Sequence, residues 1–351
     1  MKKIIAVALL TAATGDVYAV SVLNTPEGTL DLTGRAYAGH FFGDDRASEF
    51  YGSNTWFRFG AQGKAKISDS LSALGTYEAQ LNIGNKKGTT VESESDSSLN
   101  TRFAFGGVTG AWGTLTYGRQ NGAAILTTAW TDVAVTDGYG NHGVGEGVDK
   151  FGTKRASDVL NYVVSLGQAK LDLDYKLRTT KDSYDEDSDS YGDTDNSALG
   201  AAITYDLLSS LSLGTSYTLG QQGDEADAKL WILGAKYDDG ALYAAFNYGK
   251  GSDWYKVGYD HDGYEAALGY KFANKISLMT LWNMMDVSHS GGSFHPVDYV
   301  TLGAKYQFNR QLSVAAEYRL NNRGAEDQFK DVSGQLTDAK DDMQLAMRYD
   351  F

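Results

Sequence analysis

The sequence contains no cysteine and only two prolines among its 351 residues. Without cysteine the chain has no disulfide framework, no thiolate ligands for zinc and no thiol nucleophile. Proline interrupts strand pairing, so its scarcity beside 23 tyrosines and 14 phenylalanines favours strands. Beyond the N-terminus no apolar run reaches the length of a membrane-spanning helix. The formal net charge of −14 argues against a broad nucleic-acid contact, and we expect no nucleic-acid partner.

The N-terminus has the pattern of a secretory signal peptide. Two lysines precede an apolar core at residues 4–10, and Ala19 supplies the small residue expected before a cleavage point. We expect residues 1–19 to be a signal peptide and residues 20–351 to form one domain. A short apolar strand or a membrane anchor is the alternative interpretation of the first stretch.

Large apolar and polar side chains alternate through the rest of the chain, and a period of two is the signature of a strand. In "GTLDLTGRAYAG" the leucines share one face with the small residues, and Arg35 lies on the other. In "TRFAFGGV" the pattern places Phe103 and Phe105 opposite to Arg102. The alternation predicts sixteen strands, at residues 28–42, 53–67, 71–83, 99–109, 113–119, 154–166, 169–179, 197–207, 210–219, 228–238, 241–249, 261–272, 275–288, 297–308, 311–321 and 342–351.

The connections between these segments alternate between tight turns and long polar loops. Residues 68–70 and 309–311 are typical short turns, whereas residues 120–153 and 288–296 are typical long connections. Short turns at one end and long loops at the other are the pattern of an outer-membrane barrel. In lipid every backbone N–H and C=O needs a partner within the sheet, so the sheet must close on itself. The fold class predicted is therefore all-β: a 16-stranded antiparallel transmembrane β-barrel with short periplasmic turns and long extracellular loops.

Three segments carry a resemblance to a known family: "LDLTGRAYAGHFF", "TRFAFGGVTGAWGTLTYGRQNG" and the terminal "MRYDF". The chain resembles the general porins of Gram-negative outer membranes over essentially its whole length after the signal peptide. The resemblance implies a water-filled channel for passive diffusion of ions and small hydrophilic solutes, not an enzyme, and no cofactor. It implies a homotrimer in outer-membrane lipid and lipopolysaccharide. It also implies an inward-folded third loop at residues 120–153, and Phe351 as the signal read by the outer-membrane assembly machinery.

The resemblance implies a pore constriction with a basic wall facing an acidic loop. Strand phase places three arginines of the wall toward the lumen, and the family match adds a fourth: Arg35, Arg58, Arg102 and Arg155. The loop acids are Asp132, in a matching Thr-Asp dipeptide, and Asp137, where the chain departs from the family pattern. Glu78 is a further lumen acid. The alternative is that each of these side chains is an ordinary solvated charge.

Charge and aromatic residues suggest two kinds of solute preference. Acidic loops draw cations toward the mouth, whereas Lys64 and Lys66 in the lumen oppose this, so we predict a modest cation preference. Aromatic rings can instead hold sugar rings by stacking. Trp56, Trp130 and Tyr139 would form such a track in a sugar-specific porin for chito- or malto-oligosaccharides, which is the alternative function.

Weaker patterns suggest other sites or functions. In the acidic segment 182–195, Ser190 and Asn196 stand where a calcium loop requires glycine and glutamate, so a solvated loop is the simpler interpretation. The five histidines have no metal-ligand spacing, and we expect no metal site. An adhesive barrel, or a hydrolase built on the serine in "GGSFH", would be non-transport functions. The first needs no internal constriction, and the second needs a Ser/His pair that the sequence does not offer.

Two stretches suggest contact between subunits. Loop 84–98, with Glu92 and Glu94, resembles a latch that reaches a neighbouring subunit, although a solvated loop explains it equally well. The small residues Gly34, Ala36 and Ala38 form a flat apolar face. Such a face suits close packing of one barrel against another.

Overall fold

The computed structural model describes residues 19–43, 52–83, 98–137, 139, 143–144, 151–177, 196–222, 226–254, 257–323 and 340–351. The predicted signal peptide up to residue 18, Glu92, Glu94 and the acidic segment 182–195 lie outside these residues. The strands are β1 (Ala19–Thr25), β2 (Gly28–Phe41), β3 (Gly52–Lys66), β4 (Leu71–Asn82), β5 (Ser98–Gly110), β6 (Gly113–Asn121), β7 (Arg155–Leu166), β8 (Ala169–Lys176), β9 (Asn196–Leu208), β10 (Leu211–Gln222), β11 (Ala226–Asp238), β12 (Leu242–Ser252), β13 (Asp260–Lys271), β14 (Ile276–His289), β15 (Gly292–Gln307), β16 (Leu312–Asn321) and β17 (Asp342–Asp350). A single turn of helix, α1 (Ile125–Thr128), follows β6. In the described part of the chain no helix is long and apolar enough to cross a membrane.

Strands β2 to β17 form a closed antiparallel ring of sixteen strands, which confirms the predicted barrel. Closure is made by β17 and β2, in a register that runs from Gln344 opposite Phe41 to Asp350 opposite Arg35. The backbone of Phe351 continues this seam. Its N–H donates to the C=O of Gly34 at 2.9 Å, and its C=O accepts from the N–H of Gly34 at 2.8 Å. The chain therefore ends on a strand because the last strand supplies the partner that the first one lacks.

Strand β1 was not among the predicted strands. It folds back through a turn after Thr25 and pairs with the first half of β2, from Ala19 opposite Thr33 to Thr25 opposite Gly28. Strand β17 covers only the second half of β2, from residue 35 onward. Strand β1 thus satisfies backbone groups that β17 leaves unpaired, a tertiary requirement that strand periodicity does not reveal.

The two faces of the ring follow the predicted alternation. On β17, Leu345, Met347 and Tyr349 are exposed on the outer face, while Gln344 is fully buried on the inner face. On β15 the same contrast separates exposed Leu302 from buried Thr301. Apolar side chains outward and polar ones inward are what lipid and a wet lumen require, and they explain a mean hydropathy of −0.36.

A bulge in β5 overturns the predicted orientation of two phenylalanines. Glu78 pairs with Phe103 and Ala79 with Thr101, so Arg102 is an extra residue without a partner on β4. Phe103 and Phe105 therefore share the inner face of Glu78 instead of lying opposite to Arg102. The inserted residue shifts the phase of the strand, which strict alternation cannot anticipate.

The connections match the predicted turns at one end but not everywhere at the other. In the turn between β11 and β12, the N–H groups of Leu242 and Ala241 donate to Asp239 and hold the pKa of that carboxyl below its usual range. The predicted long connection 288–296 is wrong. Strands β14 and β15 continue to His289 and Gly292 and leave only a two-residue turn.

Candidate functional site

The connection between β6 and β7 lies against the inner face of the barrel, held by two buried glutamates. Glu265 of β13 accepts hydrogen bonds from the N–H groups of Gly143 (2.9 Å) and Val144 (3.1 Å), and from the hydroxyl of Thr131. Glu317 of β16 accepts from the N–H (3.1 Å) and hydroxyl (2.6 Å) of Thr136. Buried carboxylates are stable only when hydrogen-bonded, so wall and loop depend on each other.

Two aspartates add anchors on other strands. Asp174 of β8 accepts from the N–H of Ala123 at 2.6 Å, at the start of the connection. Asp342 of β17 accepts from the hydroxyl of Tyr139 near the middle of it. Asp342 also pairs with Arg319 of β16 at 2.5 Å, and this guanidinium lies 5.6 Å from the Tyr139 ring. The connection is thus fixed to the wall on both sides of the lumen.

An apolar cluster secures the end of the connection. Phe151 and Val144 pack with residues on the inner side of β9 and β11, among them Ala198, Leu230 and Ile232. Glycines on the wall also make room for the loop backbone. A Cβ on Gly263 of β13 would lie 1.9 Å from the Gly143 carbonyl oxygen. Strand β11 carries apolar residues on both faces, a pattern of a strand covered on both sides. That pattern in the sequence could have predicted which part of the wall the loop covers.

Three of the four predicted arginines meet on the opposite arc of the wall. Arg35 and Arg58 are direct cross-strand partners on β2 and β3. Arg58 donates to the side-chain carbonyl of Gln80 at 2.7 and 3.2 Å and lies 3.6 Å from Glu78. Arg102 contacts the same Glu78 carboxylate at 2.6 Å. The basic wall is therefore interleaved with an acid of its own.

Arg35 has acids on two sides. Its Nε donates to Asp350 of β17 at 2.5 Å, and its Nη1 lies 3.9 Å from the loop acid Asp137. The N–H of Asp137 in turn donates to the hydroxyl of Tyr37 at 2.9 Å. The loop acid is thus positioned next to the wall. The sequence reading missed Asp350, although the alternation in "MRYDF" already places it on the inner face.

The other two predicted charges lie apart from this group. Asp132 lies 4.0 Å from Lys154, near the start of β7. Arg155 pairs with Asn121, one residue beyond the inward-facing Gln120, and so falls on the face that Arg119 occupies. The register therefore places Arg155 on the opposite face of the sheet from Arg35 and Arg58.

The aromatic residues are packed against protein groups. Trp56 is 4 % exposed, with Tyr37 stacked at 4.9 Å and the guanidinium of Arg58 at 4.4 Å from its ring. Tyr139 is 2 % exposed. Trp130 approaches the wall where a Cβ on Gly214 would lie 2.8 Å from its ring. For Trp56 and Tyr139 these contacts occupy the ring surfaces that a sugar would need, whereas Trp130 is partly buried.

Phe351 lies on the outer face at the closing seam. Its ring covers Gly34, where a Cβ would lie 2.1 Å from the ring, and it stacks on Phe57 at a centroid distance of 5.9 Å. Gly34 thus forms the seat of the terminal ring. This packing gives the terminal ring a structural role in the folded barrel.

The arrangement suits the passage of charged and polar solutes, not chemical catalysis. Opposite charges around a water-filled opening produce a transverse field that orients polar solutes and disfavours apolar ones. Within the described ranges, no three or more histidine, cysteine, aspartate or glutamate side chains are placed to hold a metal ion.

Comparison with known proteins agrees with this geometry. The family model described as Gram-negative porin matches residues 27–351. The chain is 29 % identical over 348 residues to outer membrane porin protein OmpD of Citrobacter koseri, covering 91 % of this chain and 92 % of the relative. It is 28 % identical over 381 residues to outer membrane porin N of Escherichia coli K12, covering 97 % and 96 %.

Solved structures share the fold. A chain described as Salmonella typhi OmpF in complex with daunomycin superposes with a TM-score of 0.80 at 20 % identity, covering 95 % of this chain and 100 % of that one. The in-vitro folded trimer form of Vibrio cholerae OmpT superposes with a TM-score of 0.68 at 15 % identity, covering 93 % and 100 %.

Proposed function

Because this chain belongs to the Gram-negative porin family, we propose that its constriction conducts cations in modest preference to anions. The protein is an outer-membrane porin, a channel through which ions and small hydrophilic solutes diffuse passively, and it is not an enzyme. One observation carries the proposed preference: the arginines of the wall are each paired with a carboxylate. Glu78 contacts Arg58 and Arg102, while Asp350 and Asp137 flank Arg35.

Pairing changes what a passing ion experiences. A guanidinium with a carboxylate at salt-bridge distance acts as a dipole, whose field falls off faster than that of a lone charge. The arginines then contribute little net repulsion to cations, and the overall charge of −14 sets the sign of the potential at the mouth. The proposed constriction comprises Arg35, Arg58, Arg102, Glu78 and Asp137. Asp132 lies earlier on the loop, and Arg155 begins β7 outside the inward phase of Arg35 and Arg58.

The test is the reversal potential of the purified porin in a planar lipid bilayer under a salt gradient. We expect a small potential of the sign that cation permeation produces. A potential of the opposite sign would contradict the proposed preference without affecting membership of the family. Complete absence of channels from folded protein would instead contradict the transport function.

Sugar uptake along Trp56, Trp130 and Tyr139 is the competing proposal. Burial of the Trp56 and Tyr139 rings supports the general channel over the sugar-specific one, because stacking needs an open ring face. Malto- and chito-oligosaccharides added during the same recording separate the two. Discrete blocking events whose frequency rises with sugar concentration would favour the sugar-specific porin.

We also propose that the protein works as a homotrimer in outer-membrane lipid and lipopolysaccharide. On the outer face Ala36 and Ala38 suit subunit contact, whereas Gly34 of the expected small-residue face is covered by the Phe351 ring. One structural relative is described in its trimer form. Three equal conductance steps per insertion would support the trimer, and single steps would contradict it. Residues 1–19 are proposed as the signal peptide and Phe351 as the signal for the assembly machinery.

A further inference from the structure

Asp350 bridges two arginines on the inner face of the closing seam. Its Oδ1 accepts from Nε of Arg35 at 2.5 Å, and its Oδ2 accepts from Nε of Arg348 at 2.7 Å. Arg35 and Asp350 are direct cross-strand partners where β17 meets β2. Their exposures are 3 % and 6 %, so water screens this pair much less than it screens a surface pair.

Arg35 is held by its Nε end, while its other end faces the loop. Nη1 lies 3.9 Å from Asp137, beyond hydrogen-bond distance, and is without a hydrogen-bond partner among the described residues. A long arginine side chain has several rotamers that project into a water-filled lumen. Its present position against the wall therefore depends on Asp350.

The pair is not needed to close the barrel. The backbone already joins β17 to β2 along seven residue pairs, and Phe351 adds two bonds to Gly34. A merely structural staple would affect stability and leave ion selection unchanged. The position of Asp350, on the inner face beside a predicted constriction arginine, points to a second role.

We propose that Asp350 is a specificity-determining residue of the channel. It neutralises Arg35 and keeps that guanidinium out of the ion path, so that the constriction carries one effective positive charge fewer. The inference rests on the proposed ion-selective constriction and assigns part of its selectivity to the penultimate residue of the chain. Asp350 acts through Arg35 and is thus a positioning residue as well.

The experiment is a double-mutant cycle read as the cation-to-anion permeability ratio in planar bilayers. Asp350→Asn should lower the ratio roughly two- to five-fold, because one unit charge at a few ångströms in water has an effect of this order. Arg35→Gln should raise it. In the Arg35→Gln background, Asp350→Asn should have a clearly smaller effect, since only the guanidinium of Arg348 then remains to be released.

Asp31→Asn is the matched control. Asp31 lies on the same strand and the same inner phase as Arg35, with Gln62 as its cross-strand partner. Its removal should shift the ratio equally with and without Arg35. An equal effect of Asp350→Asn in both backgrounds would show Asp350 to be an independent lumen charge and would overturn the proposal, as would no effect at all.

A charge-swapped variant keeps the proposal testable if Asp350→Asn fails to assemble. Arg35→Asp combined with Asp350→Arg keeps one acid and one base at these two positions and leaves the net charge of the group with Arg348 unchanged. Assembly with a near-original ratio supports the pair as the determinant, whereas a ratio changed more than two-fold contradicts it. The ratio of the unsubstituted porin tests the cation preference separately, because coupling between positions 35 and 350 is measured whatever the sign of that preference.

Discussion

The inner wall of this barrel differs between two arcs built from the same alternating strands. Along β9 to β13 the inner face carries glycines and apolar residues, and the third loop covers it through Phe151 and Val144. Along β17 and β2 to β5 it carries arginines, each beside a carboxylate. Where the loop replaces water, the inner face takes glycines and apolar residues as a protein core does. The polar groups that remain there, such as Glu265, are hydrogen-bonded to the loop.

The largest expected effect comes from removing an anchor between the loop and its arc. Glu265→Ala leaves the N–H groups of Gly143 and Val144 without their acceptor, at a cost of about 1–3 kcal/mol for each buried group. We expect the loop to shift and the single-channel conductance and its noise to rise. Glu265→Gln retains an acceptor oxygen and should stay close to the original conductance. Unchanged conductance in Glu265→Ala would show that the loop does not depend on this anchor.

Filling the space between loop and wall should have a smaller effect on the same arc. A Cβ on Gly263 would lie 1.9 Å from the Gly143 carbonyl oxygen, so Gly263→Ala should destabilise the folded barrel by about 1–3 kcal/mol through overpacking. Gly75→Ala is the control, because its nearest neighbour beyond the adjacent residues is 3.9 Å away. Urea unfolding followed by tryptophan fluorescence measures both. Equal stability of the two variants would mean that the loop does not approach the wall this closely.

Substitutions on the charged arc should change the ion selectivity of the channel and leave the stability of the barrel unchanged. Glu78→Gln leaves Arg102 and Arg58 without their shared carboxylate and should lower the cation-to-anion permeability ratio roughly two- to five-fold. Arg102→Gln should raise it. Arg310→Gln, in the exposed turn between β15 and β16, removes an equal charge away from the constriction. Arg310→Gln should keep the original reversal potential. If Glu78→Gln and Arg102→Gln keep it as well, Glu78 and Arg102 do not belong to the constriction.

The smallest expected effect concerns the aromatic residues. Because Trp56 is enclosed by Tyr37 and Arg58, malto- and chito-oligosaccharides should produce no concentration-dependent block, and Trp56→Leu should not alter this. Current-noise analysis at rising sugar concentration provides the measurement. Blocking that occurs in the unsubstituted porin and disappears in Trp56→Leu would contradict this expectation. It would show that the charged arc also binds sugar.

Most of the strands could be predicted from the sequence because strand periodicity is local. The first predicted barrel strand, 28–42, differs from β2 by one residue at its end, and the last, 342–351, agrees equally well. The errors arise where a distant partner decides the local structure. Pairing with β4 inserts Arg102 as a bulge, and the uncovered edge of β2 recruits β1.

The candidate site was predicted in part for the same reason. Strand phase alone was enough to place Arg35 and Arg58 on the inner face, whereas Arg102 contacts Glu78 from a bulge that phase did not predict. It did not indicate which acid each would meet, nor that Glu265 and Glu317 would hold the loop. Arg155 sits beyond an irregularity between β6 and β7, so counting residues from the neighbouring strand could not establish its phase.

The sequence by itself determined that this chain forms a closed ring of alternating strands, because lipid leaves no other way to satisfy the backbone and the apolar face must point outward. It also determined that the chain ends on a strand. Only the tertiary structure decided which charges neutralise each other. Arg35 and Asp350 are 315 residues apart, and they meet because the barrel closes in one particular register.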